Sequence, residues 1–377
     1  MEKLRIKLEK WVNGGFCLAH HDGHAVFVEG GIPGELVDIS LYKTGKKEWF
    51  GSVSAVIESS EARIPSDCSV FMECGGCSYR HISYQDEIQI KTTLLEAMFP
   101  EWKGKLEIVT GPENEYRNNV QWQNNGKDIG YFAKNSHRVV NESQFVCKTV
   151  DKRLLWEGVP QGIKKSVAKQ KSIQLRLSSK SVVNYERDQT EVNIFNTKLK
   201  VPERGFFQIN RFLLQPWLEK IKFLLPDLAQ ILELFCGCGT IGISIREKIA
   251  SLYGMESHEK SILYARENAK INNALQFEYE VCDLYQKHLP KHTAKFPIWV
   301  VNPPRAGLSE GIVESASLFS PKQIVYSSCN PSTLKRDITK LEMIGYRLEY
   351  LGLFDFFPRT QHYEVLVSLK KINNSQT

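Results

Sequence analysis

The stretch Leu232-Glu-Leu-Phe-Cys-Gly-Cys-Gly-Thr-Ile-Gly242 decides the fold of this 377-residue chain. It reads as a strand, a glycine-rich turn and the start of a helix, with Gly237, Gly239 and Gly242 spaced G-x-G-x-x-G. Glycines there let the backbone turn with positive φ and approach a ligand closely. Glu256 closes the next strand, Leu252-Tyr-Gly-Met-Glu256, where a carboxylate can accept hydrogen bonds from ribose hydroxyls. From about 205 to 370, strands alternate with helical periods, so an α/β fold with a doubly wound, Rossmann-like parallel sheet is expected. A dinucleotide dehydrogenase and an S-adenosylmethionine (SAM) methyltransferase both fit this half. So does a tight βα turn with no ligand.

Upstream, residues 1–60 alternate polar and apolar positions in short runs separated by turns such as Gly30-Gly31-Ile32-Pro33-Gly34. Short strands without a helix predict a small OB-type barrel. Lys43, Lys46, Lys47 and Trp49 on it suit either a nucleic-acid surface or an ordinary solvated hairpin. Residues 61–204 open with a cysteine cluster, and Ser83-Tyr-Gln-Asp86 predicts a capped helix running to about Met98. The remainder is strand-rich and irregular. Residues 205–372 form the doubly wound domain, and 373–377 a polar tail. Hydrophobic content of 42% with 24% charged residues describes a soluble globular protein, and a net charge of +6 permits a nucleic-acid partner without requiring one. No apolar run approaches the ~18 residues of a membrane helix. The N-terminus lacks a signal-peptide core, so a cytoplasmic location is expected.

Three segments carry chemistry. Val300-Val-Asn-Pro-Pro-Arg-Ala-Gly-Leu308 places a rigid bend with an amide side chain at a strand's carboxyl end, suited to holding a planar base near a methyl donor. Dehydrogenases have no use for such a turn. Cys329, in Ser327-Ser-Cys-Asn-Pro-Ser332, follows an apolar strand and precedes a helix with Asn330 as N-cap and Pro331 in its first turn. A thiolate there gains from the helix dipole; a small packed residue fits the segment equally well. Cys68, Cys74 and Cys77 are spaced C-x5-C-x2-C, with Cys147 further on. Four thiolates can close a zinc or a [4Fe–4S] site, and the single C-x2-C pair tilts the choice toward iron–sulfur.

With these pieces in place, nearly the whole chain resembles the RNA (uracil-5-)-methyltransferase family. The barrel looks like the family's TRAM domain, an RNA-binding module. Cys68, Cys74, Cys77 and Cys147 look like the [4Fe–4S] site of members acting on 23S ribosomal RNA. Gln208, in Phe206-Phe-Gln-Ile-Asn210, falls on the family's SAM-contacting glutamine, and Phe235, Thr240, Glu256, Asp283 and Asn302 fall on positions around the cofactor. Cys329 matches the family's nucleophile, and Glu364, in Arg359-Thr-Gln-His-Tyr-Glu364, its general base. Many members have Asp where this chain has Asn302. A 23S-acting branch that lacks the barrel also has Asn, so the target nucleotide stays open.

The resemblance implies a SAM-dependent enzyme that forms 5-methyluridine in 23S ribosomal RNA through addition of Cys329 to uracil C6. Transfer RNA as substrate, or an amino-methyltransferase acting on a ribosomal RNA base, are the alternatives. His362 competes with Glu364 for the proton-accepting role, while Arg305 and Arg359 are expected to contact phosphate or pair with carboxylates. A monomer is expected, with RNA as partner, no membrane and no obligate protein partner.

Overall fold

The computed structural model describes residues 3–167, 169–286 and 288–372; the polar tail expected at 373–377 lies outside them. The glycine-rich segment does what its pattern predicts. It joins strand β1 (Ala229–Leu234) to a short helix, Thr240–Ser244, in a doubly wound sheet. The sheet's other strands are β2 (Ile249–Glu256), β3 (Phe277–Val281), β4 (Ile298–Val301), β5 (Gln323–Ser328), β6 (Tyr346–Phe354) and β7 (Glu364–Lys371). Their order is 3-2-1-4-5-7-6, and Glu107–Val109, from far upstream, adds an eighth strand beside β6. The strands from β3 to β5 run parallel, and β7 inserts antiparallel between β5 and β6. Strands covered on both faces read as continuous apolar runs: all four residues of β4 and all six of β5 are buried.

The N-terminal expectation of a small barrel is met by one barrel-like sheet of six strands. The first alternating run forms two strands, Lys3–Lys7 and Lys10–Val12, because Leu8 turns into the barrel core between them. Phe16–His21 forms a strand that the run of small and histidine residues obscured. Trp11 meets the ring of Tyr79 edge-on at 5.7 Å, which ties the barrel to the cysteine-bearing segment. Beyond it a five-stranded antiparallel sheet packs around Trp122, Ile173 and Leu175. The hairpin Thr190–Ile194/Thr197–Val201 shares the hydrophobic core of the doubly wound domain and is sewn to the helix Glu259–Ile271 by Asn268.

One helix outside that domain is bound into it by charge. Tyr84–Met98 starts where predicted, with the Ser83 hydroxyl accepting from Asp86 N at 3.0 Å. On its buried face Lys91 donates to Glu87 Oε1 (2.7 Å) and Asp355 Oδ1 (2.6 Å), and all three side chains are essentially inaccessible. Tyr84 donates to the other Asp355 oxygen (2.7 Å), and Arg359 N donates to Glu87 (2.8 Å). Burial pushes the Glu87 carboxyl above the usual range, and the two carboxylates keep Lys91 charged. This answers the expectation for Arg359, which pairs with Glu87 and Glu113 rather than lying open to phosphate. Replacing Lys91 with Met would strand two buried carboxylates. We expect Lys91→Met to cost about 3–5 kcal/mol in urea unfolding at neutral pH. Adding Asp355→Asn and Glu87→Gln should recover part of the loss.

Candidate active site

A crevice of about 580 Å³ lies outside the carboxyl ends of β1, β2, β4 and β5, where open α/β sheets bind ligands. Six of the residues expected from the sequence line it: Gln208, Phe235, Glu256, Asn302, Cys329 and Glu364. Thr240 and Asp283 do not. The Thr240 hydroxyl lies 3.5 Å from Cys238 Sγ, and Asp283 is exposed, accepting from Tyr285 N at 3.0 Å.

The glycines divide the work on the cofactor side. Gly237 has φ +54°, and a Cβ there would meet nothing within 4 Å, so its free face is open space beside the crevice. A Cβ on Gly242 would come within 2.2 Å of Leu252 Cδ1, so this glycine serves helix–strand packing. Glu256 Oε1 accepts from His258 N (3.0 Å), and Oε2 accepts from Gly237 N at 3.3 Å. Phe235 holds φ +59°, a conformation uncommon outside glycine, and its ring sits 5.7 Å from that of Tyr285.

The opposite wall holds the nucleophile candidate and the acid–base candidate. Asn330 caps the helix Pro331–Met343, accepting from Ser332 N at 3.2 Å. Its amide donates to the Arg305 carbonyl (3.2 Å), as does the Thr333 hydroxyl. The cap therefore also fixes the Asn302-Pro-Pro-Arg305 loop against the cysteine. Glu364 is 2% exposed and begins β7, and its next residue, Val365, pairs with Ser328 across the strands. Its Oε1 accepts from the Ser327 hydroxyl (2.7 Å), which in turn accepts from Trp217 Nε1 (3.1 Å). Burial pushes the Glu364 carboxyl up to about 7, with Ser327 pulling the other way. His362 also lines the crevice, but burial, with Arg305 adding to it, brings the ring down to about 4, so it is neutral at pH 7.

The expected electrostatics of Cys329 need correction. The helix N-terminus was expected to stabilise the thiolate. Instead burial raises the thiol above its ordinary value and Glu364 raises it further. Arg305 opposes both through charge and a hydrogen bond. The first-turn N–H of Ser332 is already taken by Asn330, which leaves Arg305 as the cation the sequence reading had assigned to phosphate or carboxylate. Ser327 was missed too, although the two-residue period of a strand puts it on the same face as Cys329.

The four cluster cysteines lie elsewhere. Cys68, Cys74, Cys77 and Cys147 line a second cavity of about 560 Å³ as free thiols. Among the described residues no group of three or more His, Cys, Asp or Glu is placed to hold a metal ion. Burial pushes Cys74 up to about 11 and raises Cys77, whose sulfur accepts from Arg80 Nε at 3.4 Å.

Comparison with known proteins converges on one chemistry. A family model described as tRNA (uracil-5-)-methyltransferase matches residues 285–372, the stretch holding Asn302, Cys329 and Glu364. An uncharacterised RNA methyltransferase of Leptospira interrogans is 36% identical, over 98% of this chain and 95% of the relative. The chain belongs to the RNA (uracil-5-)-methyltransferase family. As a member it is a methyltransferase acting on RNA. The 23S rRNA (uracil(1939)-C(5))-methyltransferase RlmD of Marinomonas posidonica is 27% identical over 94% of this chain and 92% of its own. The fold matches Pyrococcus abyssi tRNA (uracil-54, C5)-methyltransferase in complex with S-adenosyl-L-homocysteine. That match has a TM-score of 0.76, with 22% identity over 97% and 99% of the two chains. No helix among the described residues is long and apolar enough to cross a membrane.

Alkylation of Cys329 by iodoacetamide reads its thiolate fraction directly. At a fixed pH near 8, Arg305→Gln should slow the reaction severalfold and Glu364→Gln should speed it. Equal rates in all three proteins would mean that neither neighbour governs the thiol.

Proposed function

We propose that this methyltransferase forms 5-methyluridine in 23S ribosomal RNA, with Cys329 as nucleophile and Glu364 as general base. The observation that carries this reading is the meeting of a half-buried thiol, a buried carboxyl near neutrality and Asn302 in one crevice. Carbon 5 of uracil is a weak nucleophile. Addition of the Cys329 thiolate to C6 forms an S–C6 bond and moves the π electrons toward O4, giving C5 carbanion character. Carbon 5 then takes the SAM methyl group, releasing S-adenosylhomocysteine. Glu364 accepts the C5 proton, the C5–C6 double bond re-forms, and the thiolate leaves. A carboxyl titrating near 7 suits that exchange, since its base form is present at working pH and its basicity exceeds that of an exposed glutamate. The Asn302 amide can donate to O4 as well as accept from N3–H. A stacked pyrimidine exposes little of its C6 face to a thiolate, so the uridine enters from a loop or flips out of its stack.

The preference for 23S RNA rests on the Marinomonas relative and on Asn302 rather than Asp. Purified protein with tritiated SAM should methylate a 23S transcript, with 5-methyluridine as product, and leave transfer RNA transcripts unlabelled. Label in transfer RNA alone would reverse the substrate assignment; N-methylated bases would overturn the chemistry.

For the cysteine cavity we propose a [4Fe–4S] cluster held by Cys68, Cys74, Cys77 and Cys147. Their placement around one cavity supports it, as do Arg80 and Arg117, whose charges favour the Cys77 thiolate. Such a cluster would brace the cysteine-bearing segments where the local core is small. Protein purified without oxygen should contain iron and acid-labile sulfide in equal amounts, and zinc in their place would refute the cluster.

A further inference from the structure

The two cavities share a wall formed by Arg204, Phe206, Gln208 and Phe357. Behind it lies Arg176, 3% exposed, in the strand Ser172–Leu177. Its guanidinium stacks 4.4 Å over Tyr185, and Nη2 donates to the Gly205 carbonyl at 2.9 Å. Nε and Nη1 are buried and, among the described residues, find no acceptor beyond Tyr185, and no carboxylate pairs with the guanidinium. An unpaired buried cation is costly and is normally matched by an anion. The cysteine cavity carries five cationic side chains in its walls and no Asp or Glu. Arg80 and Lys148 are spoken for by Asp67. Arg117 acts on Cys77. Arg176 and Arg204 remain, the first facing Gly205, Tyr185 and Cys238 rather than the four cysteines, the second exposed at the wall between the cavities.

We infer that Arg204 and Arg176 seat one phosphodiester of the RNA, next to the target uridine, at the junction of the two cavities. A phosphate there supplies the anion that Arg176 lacks. The site would fix the RNA backbone beside the flipped base without reading its sequence. The inference rests on RNA as the substrate but not on the roles of Cys329 and Glu364.

Binding of a short oligouridylate to the full chain carrying Cys329→Ala tests this, because no methyl transfer or adduct enters the measurement. Plotted as log Kd against log salt concentration, the slope should fall by about 0.7 in Arg204→Met, the value for one phosphate on a single strand. Arg176→Met should lose the same amount, the double variant no more than either single, and Arg204→Lys little. SAM affinity should be unchanged throughout. An unaltered slope in Arg204→Met overturns the site, even if Arg176→Met fails to fold. So does a loss of bound iron or of SAM affinity in Arg176→Met at unaltered slope, which would assign that guanidinium to the cysteines or the cofactor.

Discussion

The antiparallel pairing of β5 with β7 is the constraint on which the site depends. Ser328 lies opposite Val365, so Cys329 and Glu364 emerge together at one end of the sheet. The chain reaches this pairing only after β6 has crossed beyond it, which makes β7 the strand that completes the catalytic wall. Its first residue is a buried carboxyl that accepts a hydrogen bond from Ser327 and, among the described residues, pairs with no cation. Desolvation then does the chemistry's preparatory work. It holds Glu364 near neutrality and raises the thiol, and the charge of Glu364 raises the thiol further. Arg305 shifts the balance back toward the thiolate.

That balance requires loops held to fractions of an ångström, and the holding comes from two directions. Asn330 joins the helix cap to the Asn302-Pro-Pro-Arg305 turn, so thiol and counter-charge move as one body. From the far side, the buried Lys91–Glu87–Asp355 group clamps the segment that leads into Glu364. Ser78 N, next to Cys77, donates to the Arg359 carbonyl at 2.8 Å. The cysteine-bearing loop and the catalytic strand are thus neighbours in hydrogen bonding, although almost three hundred residues separate them in sequence.

Local features were legible in the sequence. The glycine-rich turn, the Ser83 and Asn330 caps and the continuous apolar run of β5 all rest on residues within a turn of one another, and all appear where expected. The barrel was legible as a class, though Leu8 and the Phe16–His21 strand were not, because period two is blurred where a strand bends or carries small residues. What distance hides is pairing across the fold. Nothing near Arg305 announces that it faces a thiol, and although Glu87 stands one helical turn before Lys91, nothing near them announces Asp355. Of the residues taken from family resemblance, six reach the crevice while Thr240 and Asp283 fall outside its wall. Composition and spacing brought the four cysteines to one cavity without defining what they hold.

Covalent capture tests the central claim most directly. RNA carrying 5-fluorouridine at the target, incubated with SAM, should leave a stable protein–RNA complex, because fluorine at C5 cannot be removed as a proton. The linkage should map to Cys329 and vanish in Cys329→Ala. A complex that persists in that variant, or turnover of natural RNA by it, would contradict addition of this thiol to uracil.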